Sequence, residues 1–135
     1  MIISRTKNVI WYSLSNDTVE MKIETFVSLD KNGKGVKIKT RFDNEVKDHR
    51  VRIMVPTGIN SDVHKADSVF EVVTRNNRHN AGWNNPSGCE HEQGFVSIDD
   101  GEKGIAVANI GLYEYEMLPD LDNTIAVTIL RAVGE

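Results

Sequence analysis

The chain has 135 residues, 39% of them hydrophobic, and a formal net charge of −4, which fits one soluble folded domain with its own core. Its basic residues are scattered, whereas nucleic-acid binding needs clustered Lys and Arg. No stretch approaches the roughly 20 apolar residues of a membrane span. We therefore expect neither nucleic acid nor membrane as a partner. A single cysteine, Cys89, and an N terminus without signal-peptide features favour a cytoplasmic location.

The first elements along the chain read as strands. Trp11 lies in an apolar run near the start and is expected in the core. Apolar and polar residues then alternate from residue 18 to 29 and again from 36 to 42, which places the apolar side chains on one face of each strand. The segment Asp30–Gly35 between them contains glycines that supply the positive φ of a turn. A β-hairpin from residue 18 to 43 is predicted.

The rest of the chain predicts more strands and no helical periodicity. Further strands are expected at Val51–Val55, Ser68–Thr74 (covered on both faces), Phe95–Ile98, Ile105–Ala108 and Thr124–Val133, with a second hairpin around Asp99–Gly104. The total is nine or ten strands with turns between them. We therefore predict an all-β fold, a β-sandwich, in a single domain over residues 1–135.

One long polar segment, Arg75–Gln93, is expected to be a loop. Its metal-capable side chains are those of His79, Cys89, Glu90 and His91. A structural zinc site would need a second closely spaced pair, so no metal site is predicted. A nucleophilic role for Cys89 beside His91 is less favoured than an incidental thiol. Trp83 is expected to be exposed or to pack against a missing neighbour.

Two groups of carboxylates invite comparison with the acid pairs of glycosidases. The first lies in the predicted second hairpin and reads as a solvated turn: Asp99, Asp100 and Glu102. The second, Glu114 and Glu116, is interleaved with Tyr113 and Tyr115. That pattern suits sugar binding, since pyranose faces pack on aromatic rings. It equally suits a strand with a polar outer face and a tyrosine core face. A small hydrolase using both glutamates is less favoured, because nothing nearby separates their pKa values.

Several blocks, in order, resemble the C-terminal β-domain of glycoside hydrolase family 38, the α-mannosidases, and are most similar to its bacterial members. They are residues 48–57, 66–75, 93–101, 104–116 and 124–134. The resemblance implies part of a galactose-mutarotase-like supersandwich, truncated at both ends from a larger glycosidase. It implies a zinc-dependent, retaining parent enzyme, whose Asp nucleophile and zinc ligands belong to a missing N-terminal catalytic domain.

The resemblance carries no catalytic residue and no metal ligand onto this chain, so the fragment alone is expected to be inactive and to bind no zinc. The α-mannoside substrate would be reached through the parent enzyme. Residues expected near the substrate or at a domain interface are Asn109, Gly111, Tyr113, Glu114 and Tyr115. Apolar surface left by the missing part would allow self-association. The alternative is a free-standing carbohydrate-binding or interaction module.

Overall fold

The computed structural model describes residues 2–14, 17–78, 82 and 87–133, with side chains from residue 21 onward. In these ranges all eleven regular elements are strands, and no helix is long and apolar enough to span a membrane. The strands are β1 Ile2–Leu14, β2 Asp17–Leu29, β3 Val36–Phe42, β4 His49–Val55, β5 Val63–Asp67, β6 Val72–Asn76, β7 Cys89–His91, β8 Phe95–Asp99, β9 Gly104–Ala108, β10 Glu114–Leu118 and β11 Thr124–Ala132.

The chain contacts divide it into two compact units. The first, residues 1–49 and 132–135, contains an antiparallel sheet in the order β1-β2-β3. The predicted hairpin is confirmed, since β2 pairs with β3 and the N–H of Gly33 donates to Asp30 O at 2.9 Å in the turn. The positive φ expected of its glycines is wrong, because neither Gly33 nor Gly35 adopts one. Met21 and Ile23 are buried on the expected face. The side chain of Trp11 lies outside the described residues, and the single-domain organisation stays a prediction.

The second unit, residues 50–131, is built from two four-stranded sheets in the orders β4-β11-β10-β7 and β6-β5-β8-β9. Because successive side chains alternate between the two faces of a strand, the apolar side chains of both sheets point into one shared core. The first sheet contributes Tyr115, Met117, Ile125 and Val127, and the second contributes Ala66, Val96 and Ile98. The all-β fold and the β-sandwich are thus confirmed, as is the second hairpin between β8 and β9.

The predicted strand Ser68–Thr74 is wrong over its first half. The strand begins at Val72, while residues 68–71 form the turn that joins β5 to β6. Val72 is half exposed, so the segment is not covered on both faces. The error arose because β-branched and aromatic residues fill this turn, where Gly or Asn ordinarily signals one.

Two strands were not predicted from the sequence. In β5, Val63–Asp67, the inward positions are occupied by His64 and Ala66 instead of large apolar residues, so the alternation is weak. In β7, Cys89–His91, three polar residues pair with β10 inside what was expected to be a continuous loop. His79 and Trp83, also in that segment, lie outside the described residues.

Candidate functional site

A turn of residues 109–113 joins β9 to β10 and is anchored by Asn109. The N–H of Asn109 donates to Gly94 O at 2.9 Å, and its side-chain amide donates to Glu92 Oε1 at 2.6 Å. Asn109 Oδ1 accepts the N–H of Leu112 at 3.0 Å. Gly111 has a φ of 81°, which glycine adopts without strain. Because its side chain bonds both Leu112 within the turn and Glu92 outside it, Asn109 acts as the anchor of the turn.

The carboxyl group of Glu92 forms the floor beneath this turn. It is fully buried, and burial raises its pKa; the bond from Asn109 opposes this shift and the charge of Asp67 adds to it. Its Oε2 atom has no hydrogen-bond partner among the described residues. Burial therefore disfavours the ionised form of Glu92, whereas the hydrogen bond that Asn109 donates favours it.

The tip of the turn presents apolar side chains to solvent. Ile110 is fully exposed, and Tyr113 is 60% exposed. The ring of Tyr113 lies parallel to that of His91, with centroids 6.3 Å apart and an interplanar angle of 8°. The backbone beneath is held because the N–H of Glu92 donates to Tyr113 O at 3.2 Å. The turn is thus an exposed apolar surface on a fixed base.

A polar cluster lies within the sandwich below β10. It consists of His64, Arg75, Asn77, Glu90 and Tyr115, contributed by β5, β6, the segment after β6, β7 and β10. The Tyr115 hydroxyl donates to Glu90 Oε2 at 2.7 Å, accepts from Arg75 at 2.7 Å and lies 2.7 Å from His64 Nε2. Because β5 and β6 belong to one sheet and β7 and β10 to the other, the cluster joins the two sheets.

The protonation of this cluster follows from its partners. Asn77 Nδ2 donates to the carbonyl of Ser61 at 2.7 Å, so Asn77 Oδ1 faces His64 Nδ1 at 2.8 Å and His64 carries a proton there. Burial would raise the pKa of Glu90, but hydrogen bonds from His64 and Tyr115 and the charges of His64 and Arg75 outweigh it and lower that pKa. Burial and the carboxylate of Glu90 raise the pKa of Tyr115, which stays a neutral hydroxyl.

Glu114 and Glu116 lie on the opposite face of β10 and are paired with arginines. Their partners are Arg50, Arg52 and Arg131, with Arg131 to Glu114 at 2.8 Å, Arg50 to Glu116 at 3.6 Å, and Arg52 in direct contact with Glu116. Burial would raise the pKa of Glu114, but bonds from Thr128 and Arg131 and the arginine charges lower it. A general acid for glycoside hydrolysis needs a raised pKa, so Glu114 does not suit acid catalysis.

The structure also locates the other side chains that were considered for a chemical role. Asp99, Asp100 and Glu102 are exposed in the β8–β9 turn, as expected, and backbone hydrogen bonds from Lys103 and Glu102 lower the pKa of Asp100. Cys89 Sγ accepts a hydrogen bond from Arg50 at 2.8 Å. Among the described residues no group of three or more His, Cys, Asp or Glu side chains could hold a metal ion.

The structure separates the five predicted site residues. Asn109 and Gly111 shape the turn, Tyr113 is exposed on it, and Glu114 is ion-paired on the outer face. Tyr115 is fully buried in the polar cluster. His64, Arg75, Asn77 and Glu92 were missed, since their partners are distant in sequence. The one available signal was the alternation of His64 with Ala66 in a short strand.

The fold and the site define a β-sandwich module with two distinguishing features. Its 109–113 turn is held by hydrogen bonds and exposes apolar side chains, and Glu114 and Glu116 on β10 are ion-paired. The chain belongs to the glycosyl hydrolases family 38 C-terminal domain, whose family model matches residues 4–135. It is 40% identical over 121 residues to a putative mannosylglycerate hydrolase of Halalkalibacterium halodurans. Among solved structures it is similar to an α-mannosidase from Enterococcus faecalis, with 43% identity and a TM-score of 0.83.

A glycosyl hydrolase family 38 protein from Enterococcus faecalis is similar as well, with 42% identity and a TM-score of 0.77. Each of these three comparisons covers 90% of this chain. The same alignments cover only 13% of the curated relative and 14% and 13% of the two solved chains. The chain therefore corresponds to a small part of each relative.

Proposed function

We propose that this chain is the C-terminal supporting domain of a zinc-dependent, retaining α-mannosidase, and that its 109–113 turn packs against the catalytic part of that enzyme. Family membership over residues 4–135 and the small share of each relative that the chain covers support this proposal. In this proposal the zinc ion is held by the catalytic part of the enzyme.

The proposal rests on the 109–113 turn, which is held in place by hydrogen bonds. Ile110 is fully exposed on a base that Asn109 and Glu92 fix from below. Tyr113, in the same turn, is 60% exposed as well, and neighbouring apolar side chains exposed on an ordered support favour a surface that another body covers. The supporting domain would then contribute shape and packing to the enzyme, with acid, base and nucleophile supplied by the other part.

Substitution of Ile110 in the longer polypeptide that contains this chain tests the proposal. Ile110→Thr should lower kcat/KM for an aryl α-mannoside several-fold, because the covered surface loses apolar contact. The same variant should leave the unfolding midpoint of the 135-residue chain unchanged, since Ile110 makes no buried contact there. The matched control is Leu121→Thr, at another exposed apolar position of the same unit, where activity should stay within twofold of the parent.

A second candidate, a free-standing carbohydrate-binding module, is favoured by the exposed ring of Tyr113 stacked beside His91. Titration of the 135-residue chain with methyl α-mannoside, followed by NMR, separates the two functions. Saturable shifts at Tyr113 and His91 that Tyr113→Ala abolishes would favour the binding module. Unchanged spectra at millimolar sugar are expected for a supporting domain.

A further inference from the structure

The tip of the β5–β6 hairpin places large apolar side chains in solvent. Phe70 is fully exposed, and Val69 and Val72 are half exposed. The N–H of Ser68 donates to Glu71 O at 2.9 Å, so Val69 and Phe70 occupy the two central positions of a tight turn. Asn, Asp and Gly ordinarily fill such positions. The residues at this tip are therefore not those that a tight turn of this kind prefers.

The backbone at the tip is also strained. Phe70 has a φ of 72°, in the left-handed region that glycine enters freely and bulky side chains avoid. Strain of this kind persists where surrounding structure or function compensates for it. Since the side chain of Phe70 is wholly exposed, the described residues do not cover it. Burial of the ring against another surface would offset the cost of both the strain and the exposure.

The tip emerges at the same end of the sandwich as the 109–113 turn. β5 ends at Asp67, and the N–H of Gln93 donates to Asp67 O at 3.0 Å. The next residue, Gly94, accepts the N–H of Asn109 at 2.9 Å. The two features are thus linked across a short stretch of backbone. A body that covers the turn is well placed to cover the tip.

We propose that the tip, residues 69–72, inserts into an apolar socket on the catalytic part of the parent polypeptide, with Phe70 as the anchor. This inference rests on the proposed function, which places that part against the neighbouring turn. The chain covers only 13% or 14% of its relatives, so most of the enzyme lies outside it. Glu71, exposed beside Phe70, would favour a basic rim around the socket. Covalent linkage supplies a high effective concentration, so a small contact suffices.

Phe70→Asn tests the proposal because relief of the backbone strain and loss of the inserted ring should change stability in opposite directions. Asn tolerates a left-handed φ, so the thermal midpoint of the 135-residue chain should stay equal or rise by a few degrees. In the longer polypeptide the half-life of activity at elevated temperature should fall about tenfold, the effect of about 1.4 kcal/mol of lost anchoring. Leu121→Asn is the control: Leu121 is exposed in the β10–β11 connection at the other end of the sandwich, and both readouts should stay unchanged.

Hydrogen exchange provides a readout that is independent of activity. Amides of residues 68–72 should exchange at least tenfold more slowly in the longer polypeptide than in the 135-residue chain, and Phe70→Asn should abolish the difference. Equal exchange in both proteins would overturn the proposal. So would a dimer of the 135-residue chain that Phe70→Asn dissociates, since the tip would then contact a second copy. Absence of mannosidase activity with slowed exchange would instead contradict the proposed function alone.

Discussion

The hydroxyl of Tyr115 is the atom on which the polar cluster depends, and Tyr115→Phe removes it while preserving the buried ring. Its oxygen lies 2.7 Å from Glu90, from Arg75 and from His64. A hydrogen bond that involves a charged group contributes about 1.5–3 kcal/mol. Glu90 and Arg75 keep other partners, His64 at 3.2 Å and the carbonyl of His91 at 2.7 Å, so the losses do not simply add. We expect a decrease of about 2–3 kcal/mol in the free energy of unfolding.

Urea denaturation followed by circular dichroism measures this change, and the thermal midpoint should fall by roughly 10 °C. Tyr113→Phe is the matched control, since it makes the same chemical change on a side chain that is 60% exposed. It should cost less than about 0.5 kcal/mol. Equal effects of the two substitutions, or a loss below about 0.5 kcal/mol for Tyr115→Phe, would refute the view that the cluster stabilises the sandwich.

Three further substitutions test the electrostatics of the same unit. The lowered pKa of Glu90 means that wild-type stability is present above pH 4.5 and is lost as the pH falls through the folded-state pKa. Glu90→Gln should flatten that acid limb in urea titrations; an unchanged limb would contradict it. The raised pKa of Glu92 has the opposite sign, so stability falls as the pH rises above 4.5. The free energy of unfolding of Glu92→Gln, relative to that of the wild type, should therefore be higher at pH 8 than at pH 4. Gly88→Ala brings a Cβ against the carboxylate of Glu116, so this carboxylate, which is paired with Arg52, must shift. A loss of about 0.5–1 kcal/mol in the free energy of unfolding is expected for this part-exposed pair.

Local patterns in the sequence were sufficient for much of the fold. The hairpin of β2 and β3 was predictable because alternating residues flank the glycines of Asp30–Gly35. Of the two tyrosines in the alternative with a tyrosine core face, Tyr115 is buried beside Met117 while Glu114 faces outward, and Tyr113 is exposed in the turn before β10. In each case the signal lies within a few neighbouring residues, where side-chain periodicity and turn chemistry act together.

The candidate site was less accessible, since its contacts join residues that are far apart in the chain. His64 meets Tyr115 across 51 positions and Glu90 across 26. No local pattern encodes such a cluster. The turn at Phe70 was missed for a different reason, because its residues favour a strand and its positive φ is unfavourable for them. Both failures occur where tertiary contacts or strain override local preference.

The central claim is that this chain supports an enzyme whose chemistry resides elsewhere, and one comparison tests it most directly. Hydrolysis of an aryl α-mannoside would be measured with added zinc for the 135-residue chain and for the longer polypeptide that contains it. The account predicts turnover by the longer polypeptide, abolished by chelation, and none by the 135-residue chain. Turnover by the 135-residue chain that is lost on substitution of Glu114 or Glu116 would contradict the account and locate catalysis on β10.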